Sequence, residues 1–489
     1  MGIVSKSRKI TLIVLGSFAG LALAAIAALF ALDLDALKPR IETMISHALG
    51  MQLHINGRIG VGFPDLSLTA SDVQLRNRDA TVADAKEVHL NVDLRALLRN
   101  EVQVREIAIK GATLFIERAA DGSVNLKPDA PKSGARDSAV RLAKISIVDS
   151  TVYYADVKSE IDVEARNCDI DGTDLRIAAG KQPMWQALSL TVKAACEGVR
   201  TQNVDLADVK LAAAVSNGVV DIDPVTMKLF EGNGSASVHA DFSKPVPVFQ
   251  VRYSLERFRV EEFLQAMTPR KVAHGDMDFA IELSTQGTSW DAAKRAMSGR
   301  SSLRGKNVTF KGVNLDVALA RFESSQNFNL VDVGAFFFTG PVGLAVTKGY
   351  NFANLLAAGE GVSHVRAIVS EWEIEHGKAK AIDVAMTTNR YRIAMKGELD
   401  LVNERFQDLV VAVIDDTGCP KVQQKISGPF NKPVIERPNV LSAIVGPALN
   451  LLSGAKNLVT GRHCSKVFYA GSVPPPGQKN TESGGDASK

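Results

Sequence analysis

Residues able to carry chemistry are few and dispersed in this chain. Eight histidines are scattered along it, and none stands in a His-x-x-His, His-x-x-x-His or His-Glu-x-x-His arrangement that would set two metal ligands on one face. Each reads as a surface histidine or one satisfied inside a core. No Gly-x-Ser-x-Gly elbow, Walker loop or dinucleotide fingerprint occurs, and Gly232 and Gly234 fall in a hairpin turn with no helix after them. Asp221 and Asp223 lie on the polar side of a strand, where solvated carboxylates are ordinary. The expectation is a non-enzymatic protein with no catalytic residue, no metal and no cofactor.

The four cysteines, Cys168, Cys196, Cys419 and Cys464, are widely spaced, with no Cys-x-x-Cys and no histidine pair beside them, so neither a zinc knuckle nor a redox motif is indicated. An even count suits an oxidising compartment. Order along the chain suggests Cys168 with Cys196 and Cys419 with Cys464, against the alternative of four unrelated buried thiols. The second bridge would close a loop of about 45 residues and contribute roughly 4 kcal/mol in the chain-entropy account.

Elements able to position anything must come from a chain of 489 residues, 46% hydrophobic and 23% charged, which has ample apolar surface for a folded body of more than one module. Its 57 Lys and Arg nearly balance 54 Asp and Glu, so no broad basic field exists to condense on phosphates. Nucleic acid is not an expected partner.

Residues 10–32 carry no charge, and a helix of that length covers a hydrocarbon core of ~30 Å. Lys6, Arg8 and Lys9 precede this stretch and Asp33 and Asp35 follow it, so the positive-inside bias leaves residues 1–9 in the cytoplasm and the remainder outside. A cleaved signal peptide is the rival reading, although signal h-regions usually run only ~7 to 15 residues. Gly16 and Gly20 are spaced for close helix approach, but ordinary packing explains them equally well. Over 35–49, Leu37, Ile41, Ile45, Ala48 and Leu49 form one stripe, with Pro39 in the first turn and Gly50 as the stop. This amphipathic helix would lie on lipid or, the commoner use, cover the open edge of the first sheet.

Beyond Gly50 the dominant signal is period-two alternation broken by Asn-Gly, Asp-Gly and Gly-rich turns, the mark of antiparallel strands joined by hairpins. From Asp208, residues Val209, Leu211, Ala213 and Val215 face one way, Asn217-Gly218 turns, and Val220 and Ile222 return. The same grammar recurs at Ile382, Val384 and Met386. Short helical patches are expected over 93–99, 260–267, 289–297 and 351–357, as plugs or edge covers rather than a second layer. The fold class is therefore mainly β: a transmembrane helix, then a long curved antiparallel sheet with short helices at its edges.

A repeat is visible. REIAIKGATLFI from Arg105 aligns with AKISIVDSTVYY from Ala143, matching Ile107 with Ile145, Ile109 with Ile147, Thr113 with Thr151 and Ile116 with Tyr154. Alternation changes phase at Gly111 or Asp149, so each copy reads as strand, bend, strand; chance likeness of two amphipathic strands is the competing account. Residues 127–138, rich in Pro, Ser, Gly and charge, read as a linker between a module at 33–130 and a second at 139–470. Residues 439–459 are apolar but broken at Gly446-Pro447, as a helical pair packed on sheet would be, and 471–489 has nothing to bury and is expected to be disordered.

The segment from Leu34, LDALKPRIETMISHALGMQLHINGRIGV, with FPDLSLTASDVQL, VHLNVDLRALLRNEVQVREIAIKGATLFIER and DGSVNL after it, resembles the N-terminal region of the AsmA family. LRGKNVTFKGVNLDVAL, GELDLVNERF, ISGPFNKPVIERP and FYAGSVPPP resemble its C-terminal region more loosely. The resemblance implies an inner-membrane anchor followed by a periplasmic sheet folded lengthwise into a trough with an apolar inside, related in plan to bridge-like lipid-transfer proteins. It also implies a part in outer-membrane biogenesis and phospholipid traffic, and it carries over no catalytic motif.

A curved sheet with a continuous apolar face and few helices must bury that face on itself, on another sheet or on acyl chains. Ile107, Ile109, Val209, Leu211, Ile382 and Val384 are the expected groove-lining residues. Expected partners are the inner membrane, phospholipid acyl chains and envelope proteins. The expected activity is lipid transport between the two membranes, with a scaffold or assembly factor for outer-membrane proteins, working through exposed strand edges, as the alternative.

Overall fold

The fold is described from a computed structural model over residues 35, 38–62, 67–78, 80–92, 104–126, 140–179, 184–202, 204–266, 273–312, 314–325, 337, 361–437, 439–440 and 467–478. The expected transmembrane span at 10–32, the helical patches at 93–99 and 351–357, the linker at 127–138 and nearly all of 439–459 lie outside these residues. No helix among the described residues is long and apolar enough to cross a membrane. The fold is mainly β, mostly antiparallel and open, and divides into two compact units near Gln202.

Unit 1 holds α1 (Lys38–Leu49), β1 (Gln52–Ile55), β2 (Ile59–Gly62), β3 (Ser67–Asn77), β4 (Ala80–Val92), β5 (Val104–Arg118), β6 (Val140–Asp156), β7 (Ile161–Ile177), the one-turn α2 (Met184–Ala187) and β8 (Leu188–Thr201). β1 and β2 pair side by side with β3, and the sheet then runs β3 to β8 in chain order. The amphipathic helix forms as its stripe predicts, and Gly50, at φ 68°, returns its N–H to the Ser46 carbonyl to end it.

One junction departs from the antiparallel expectation. β5 and β6 run parallel, in the register Ile107 to Ile145, Ile109 to Ile147, Thr113 to Thr151 and Ile116 to Tyr154. The two copies of the sequence repeat are thus hydrogen-bonded neighbours, aligned residue for residue. Period-two alternation is the same for either strand direction, so it could not distinguish them.

Unit 2 holds β9 (Asp205–Ser216, whose last three residues group with unit 1), β10 (Val219–Leu229), β11 (Gly232–Asp241), β12 (Val248–Arg259), α3 (Val260–Gln265), β13 (Ala273–His274), β14 (Asp276–Gln286), α4 (Trp290–Ala296), β15 (Ser298–Lys311), α5 (Leu315–Ser325), β16 (Val362–Glu375), β17 (Lys378–Thr387), β18 (Arg392–Asp400), β19 (Arg405–Ile414), β20 (Pro420–Pro429), β21 (Val434–Ile435) and β22 (Asn439–Val440). It is an antiparallel meander. Asn217 and Gly218 turn at φ 51° and 84°, the paired left-handed geometry of a tight hairpin. α3 and α4 fall on two predicted helical patches, and α4 starts where Ser289 Oγ accepts the Ala292 N–H at 3.2 Å.

The core of unit 2 is closed. Phe258, Phe310, Leu315, Leu319, Ile368, Met386, Ile393 and Leu409 are fully buried in one cluster, to which α3 adds Val260, Phe263 and Leu264. α3 and α5 are therefore the plugs of this core. The opposite face of β16 to β19 is covered too, by residues 467–478. Ala385, Ala394 and Ala412 are register partners across β17, β18 and β19, and over these small side chains sit buried Tyr469 and Val473. The Tyr469 hydroxyl donates to Asp383, Ser472 donates to the same carboxylate through N at 2.9 Å and Oγ at 2.6 Å, and the Arg392 guanidinium lies 4.8 Å from the Tyr469 ring centre. Of the tail expected to be disordered over 471–489, Gly471 to Gln478 instead pack here, with Val473 1% exposed, and 479–489 lie outside the described residues.

Candidate functional site

In unit 1 the apolar face is built row by row, because residues paired directly across strands point to the same side. One row runs Leu68, Leu90, Ile107, Ile145, Gly172, Val192, and the next Ala70, Val88, Ile109, Ile147, Ile170, Ala194. The polar side of the same strands carries Glu106 against Lys144, 3.1 Å apart, and Ser146 donating to Asp171 at 2.9 Å.

A crease then crosses the unit. Asp72 in β3, Gly111 in β5, Asp149 in β6 and Asn167 in β7 all have left-handed φ, between 49° and 62°. A residue in that conformation turns its strand out of alternation by one position, which is the phase change legible at Gly111 and Asp149. Past the crease the apolar positions become Leu75, Ala83, Leu114, Val152, Ala165 and Val199, and then Ile116, Tyr154 and Val163. Along it lie small residues: Val73, Ala85 and Ala112 on one side, Ser150, Cys168 and Cys196 on the other.

Cys168 and Cys196 are direct register partners joined by a disulfide, with Cα atoms 4.0 Å apart. The expected first bridge is present, and it staples β7 to β8 at the crease. Cys419 is disulfide-bonded as well, while Cys464 lies outside the described residues.

Exposure separates the two units. Within these rows only Gly172, Ser150 and Cys168 are buried; the branched aliphatic residues, Ile107 and Ile109 among them, remain half-buried. Of the described helices of unit 1, α1 packs on β1 and the one-turn α2 meets β7 only near its end, where the Ala178 N–H donates to the Ala187 carbonyl. The result is an apolar sheet face with a polar reverse, wide enough to span six strands at about 4.8 Å each. Where β5 to β8 end, a cavity of about 680 Å³ opens, with Phe115, Ile116, Tyr153, Tyr154 and Val163 in its wall.

The six expected lining residues therefore divide. Ile107 and Ile109 lie on this open face, and Val209 and Leu211 are half-buried on β9. Val384, 1% exposed, belongs to the closed core of unit 2 rather than to a groove. Ile382 is 55% exposed: Glu371 pairs with Asp383 and Trp372 with Ala381, so Ile382 is the unpaired extra residue of a β-bulge. That bulge lets Ala381 and Val384 share a face while Ile382 turns away, which strict alternation could not foresee.

The sheet edges are also managed. Ile55 N–H donates to Glu42 Oε1 at 2.6 Å, Leu53 N–H to Ser46 Oγ at 2.8 Å and Ile59 N–H to Asp35 Oδ1 at 3.0 Å, so side chains of α1 and its approach occupy amides that β1 and β2 turn away from β3. In unit 2, the short β21 and β22 pair along β20. No group of three or more His, Cys, Asp or Glu among the described residues is placed to hold a metal ion.

A family model described as the AsmA family matches residues 4–181 and again residues 140–339. No curated protein matches the chain. The two family matches overlap across β6 and β7, so β6 is shared between them.

Proposed function

The chain belongs to the AsmA family, and on that premise we propose that it is an envelope lipid-handling protein, anchored in the inner membrane by residues 10–32 with its sheet units in the periplasm, which aids phospholipid movement toward the outer membrane without catalysing a reaction. The observation that carries the reading is the contrast in burial. Unit 2 closes its apolar cluster with α3 and α5, whereas the Ile107, Ile109, Ile145 and Ile147 side of unit 1 is left half open. An open face of that kind is costly in water and is stabilised by acyl chains, while the polar reverse stays solvated.

The scaffold alternative, in which exposed edges capture strands of other proteins, has less support. Glu42, Ser46 and Asp35 occupy amides of β1 and β2 that an incoming strand would need.

Lipid mass spectrometry on the full chain, purified gently in detergent, tests the reading. Near-stoichiometric phospholipid in the wild type, lost in an Ile109→Asp/Ile170→Asp variant that keeps its circular dichroism and its Cys168–Cys196 bridge, is the expected result. A folded wild-type protein free of lipid would remove the proposal and return attention to the scaffold reading.

A further inference from the structure

We propose that the cavity at the ends of β5 to β8 is a binding site for an organic ammonium group and, resting on the lipid reading above, that its ligand is the amine end of a zwitterionic lipid. The chemistry of the wall points there. Glu117, Asp162 and Glu164 line it with the Arg200 guanidinium, and Arg166 lies near enough to act on Tyr153, so three carboxylates stand against two guanidiniums and an anionic ligand would meet a surplus of negative charge. Phe115 and Tyr153 stack with ring centres 5.4 Å apart and planes within 9° of each other. Aromatic faces and carboxylates attract the same kind of guest, a compact organic cation.

These groups are held in place. Phe115, Tyr153, Glu164 and Arg200 are register partners in one row across four strands, and the Glu164 carboxylate beside Tyr153 holds the phenol's pKa above its ordinary value. Asn125, also in the wall, spends its side chain on the backbone: Nδ2 donates to the Phe115 carbonyl at 2.8 Å and Oδ1 accepts the Glu117 N–H at 2.9 Å. It shapes the rim, and the carboxylates and rings are left to select the ligand. A volume of about 680 Å³ is ample for a lipid headgroup.

The test equilibrates the full chain in detergent with mixed micelles holding equal phosphatidylethanolamine and phosphatidylglycerol of matched acyl chains, and weighs the bound lipids by mass spectrometry. The wild type should be enriched in the ethanolamine lipid by about two- to fivefold. In Asp162→Asn/Glu164→Gln, and separately in Tyr153→Leu, the enrichment should fall toward one while total bound lipid is unchanged. Equal uptake by the wild type, or a bias that survives in both variants, overturns the site but leaves the lipid reading standing. If neither lipid binds, the lipid reading is what fails, and the site is then judged with free ligands by saturation-transfer NMR. Choline preferred over its neutral isostere 3,3-dimethylbutan-1-ol, with the preference lost in the variants, supports an ammonium site fed by soluble amines; no preference overturns it.

Discussion

The Glu42 carboxylate on α1 accepts the backbone N–H of Ile55 on β1 at 2.6 Å, the shortest of three bonds by which side chains before and within one helix close a sheet edge. A hydrogen bond to a charged group contributes about 1.5–3 kcal/mol when its removal leaves the partner unmet, and somewhat less where water can enter. Glu42→Ala should therefore cost about 1–2 kcal/mol. Hydrogen exchange at Ile55 should quicken while amides deep in β5 stay protected, and unchanged exchange at Ile55 would show that the helix covers the edge without bonding it.

The Cys168–Cys196 bridge should matter most to unit 1. Its loop spans 28 residues, for which chain entropy gives a stabilisation of about 3–4 kcal/mol. Cys168→Ser/Cys196→Ser should lower the urea midpoint of the transition that reports on β7 and β8. A transition left in place would mean that unit 1 unfolds without separating those strands.

Residues 467–478 should detach as a unit. Tyr469→Ala removes a buried ring, the donor to Asp383 and the acceptor of the Val473 N–H at 3.1 Å, a loss of about 2–4 kcal/mol. Limited proteolysis should then cut between residues 467 and 478 far faster than in the wild type. Phe468→Ala, which loses the ring lying 5.3 Å from the Lys396 ammonium but keeps Tyr469, should have the smaller effect.

Acid sensitivity should appear at the end of β11. The Asp241 carboxyl accepts from Ser243 Oγ at 2.5 Å and Ser243 N at 2.9 Å and lies 3.2 Å from Lys244 Nζ, contacts that push its pKa down from 3.8 to about 2. Its contribution is therefore fully present above pH 3.8 and is lost as pH falls through about 2. Across that window Asp241→Asn should show a flatter decline in stability than the wild type. Parallel curves would indicate that the turn around Ser243 does not depend on the charge.

Much of unit 1 can be read directly from its residues. The likeness of Ile107 and Ile145, Ile109 and Ile147, and Thr113 and Thr151 is a real adjacency, and the phase change at Gly111 and Asp149 is a physical crease. Strand direction was illegible because side chains alternate identically in parallel and antiparallel neighbours. In unit 2 the bulge at Ile382 is a backbone event that leaves no mark on composition. Tyr469 and Val473 lie in a stretch that otherwise looks soluble, and their seat is an alanine row whose small size, rather than its hydrophobicity, makes room for them. The cavity wall was missed for a similar reason. Phe115, Tyr153 and Glu164 sit on three strands that only the finished sheet brings together.

The cover that Tyr469 and Val473 give to Ala385, Ala394 and Ala412 has a consequence during biosynthesis. The strands emerge from the ribosome before the segment that shields them, so a growing chain passes through a stage in which β16 to β19 are complete and one of their faces is bare. A chain halted in that interval would display a sticky, alanine-floored surface to chaperones and proteases. Arrival of the tyrosine would remove the signal, making the burial of one aromatic ring a mark that the alanine face has been covered.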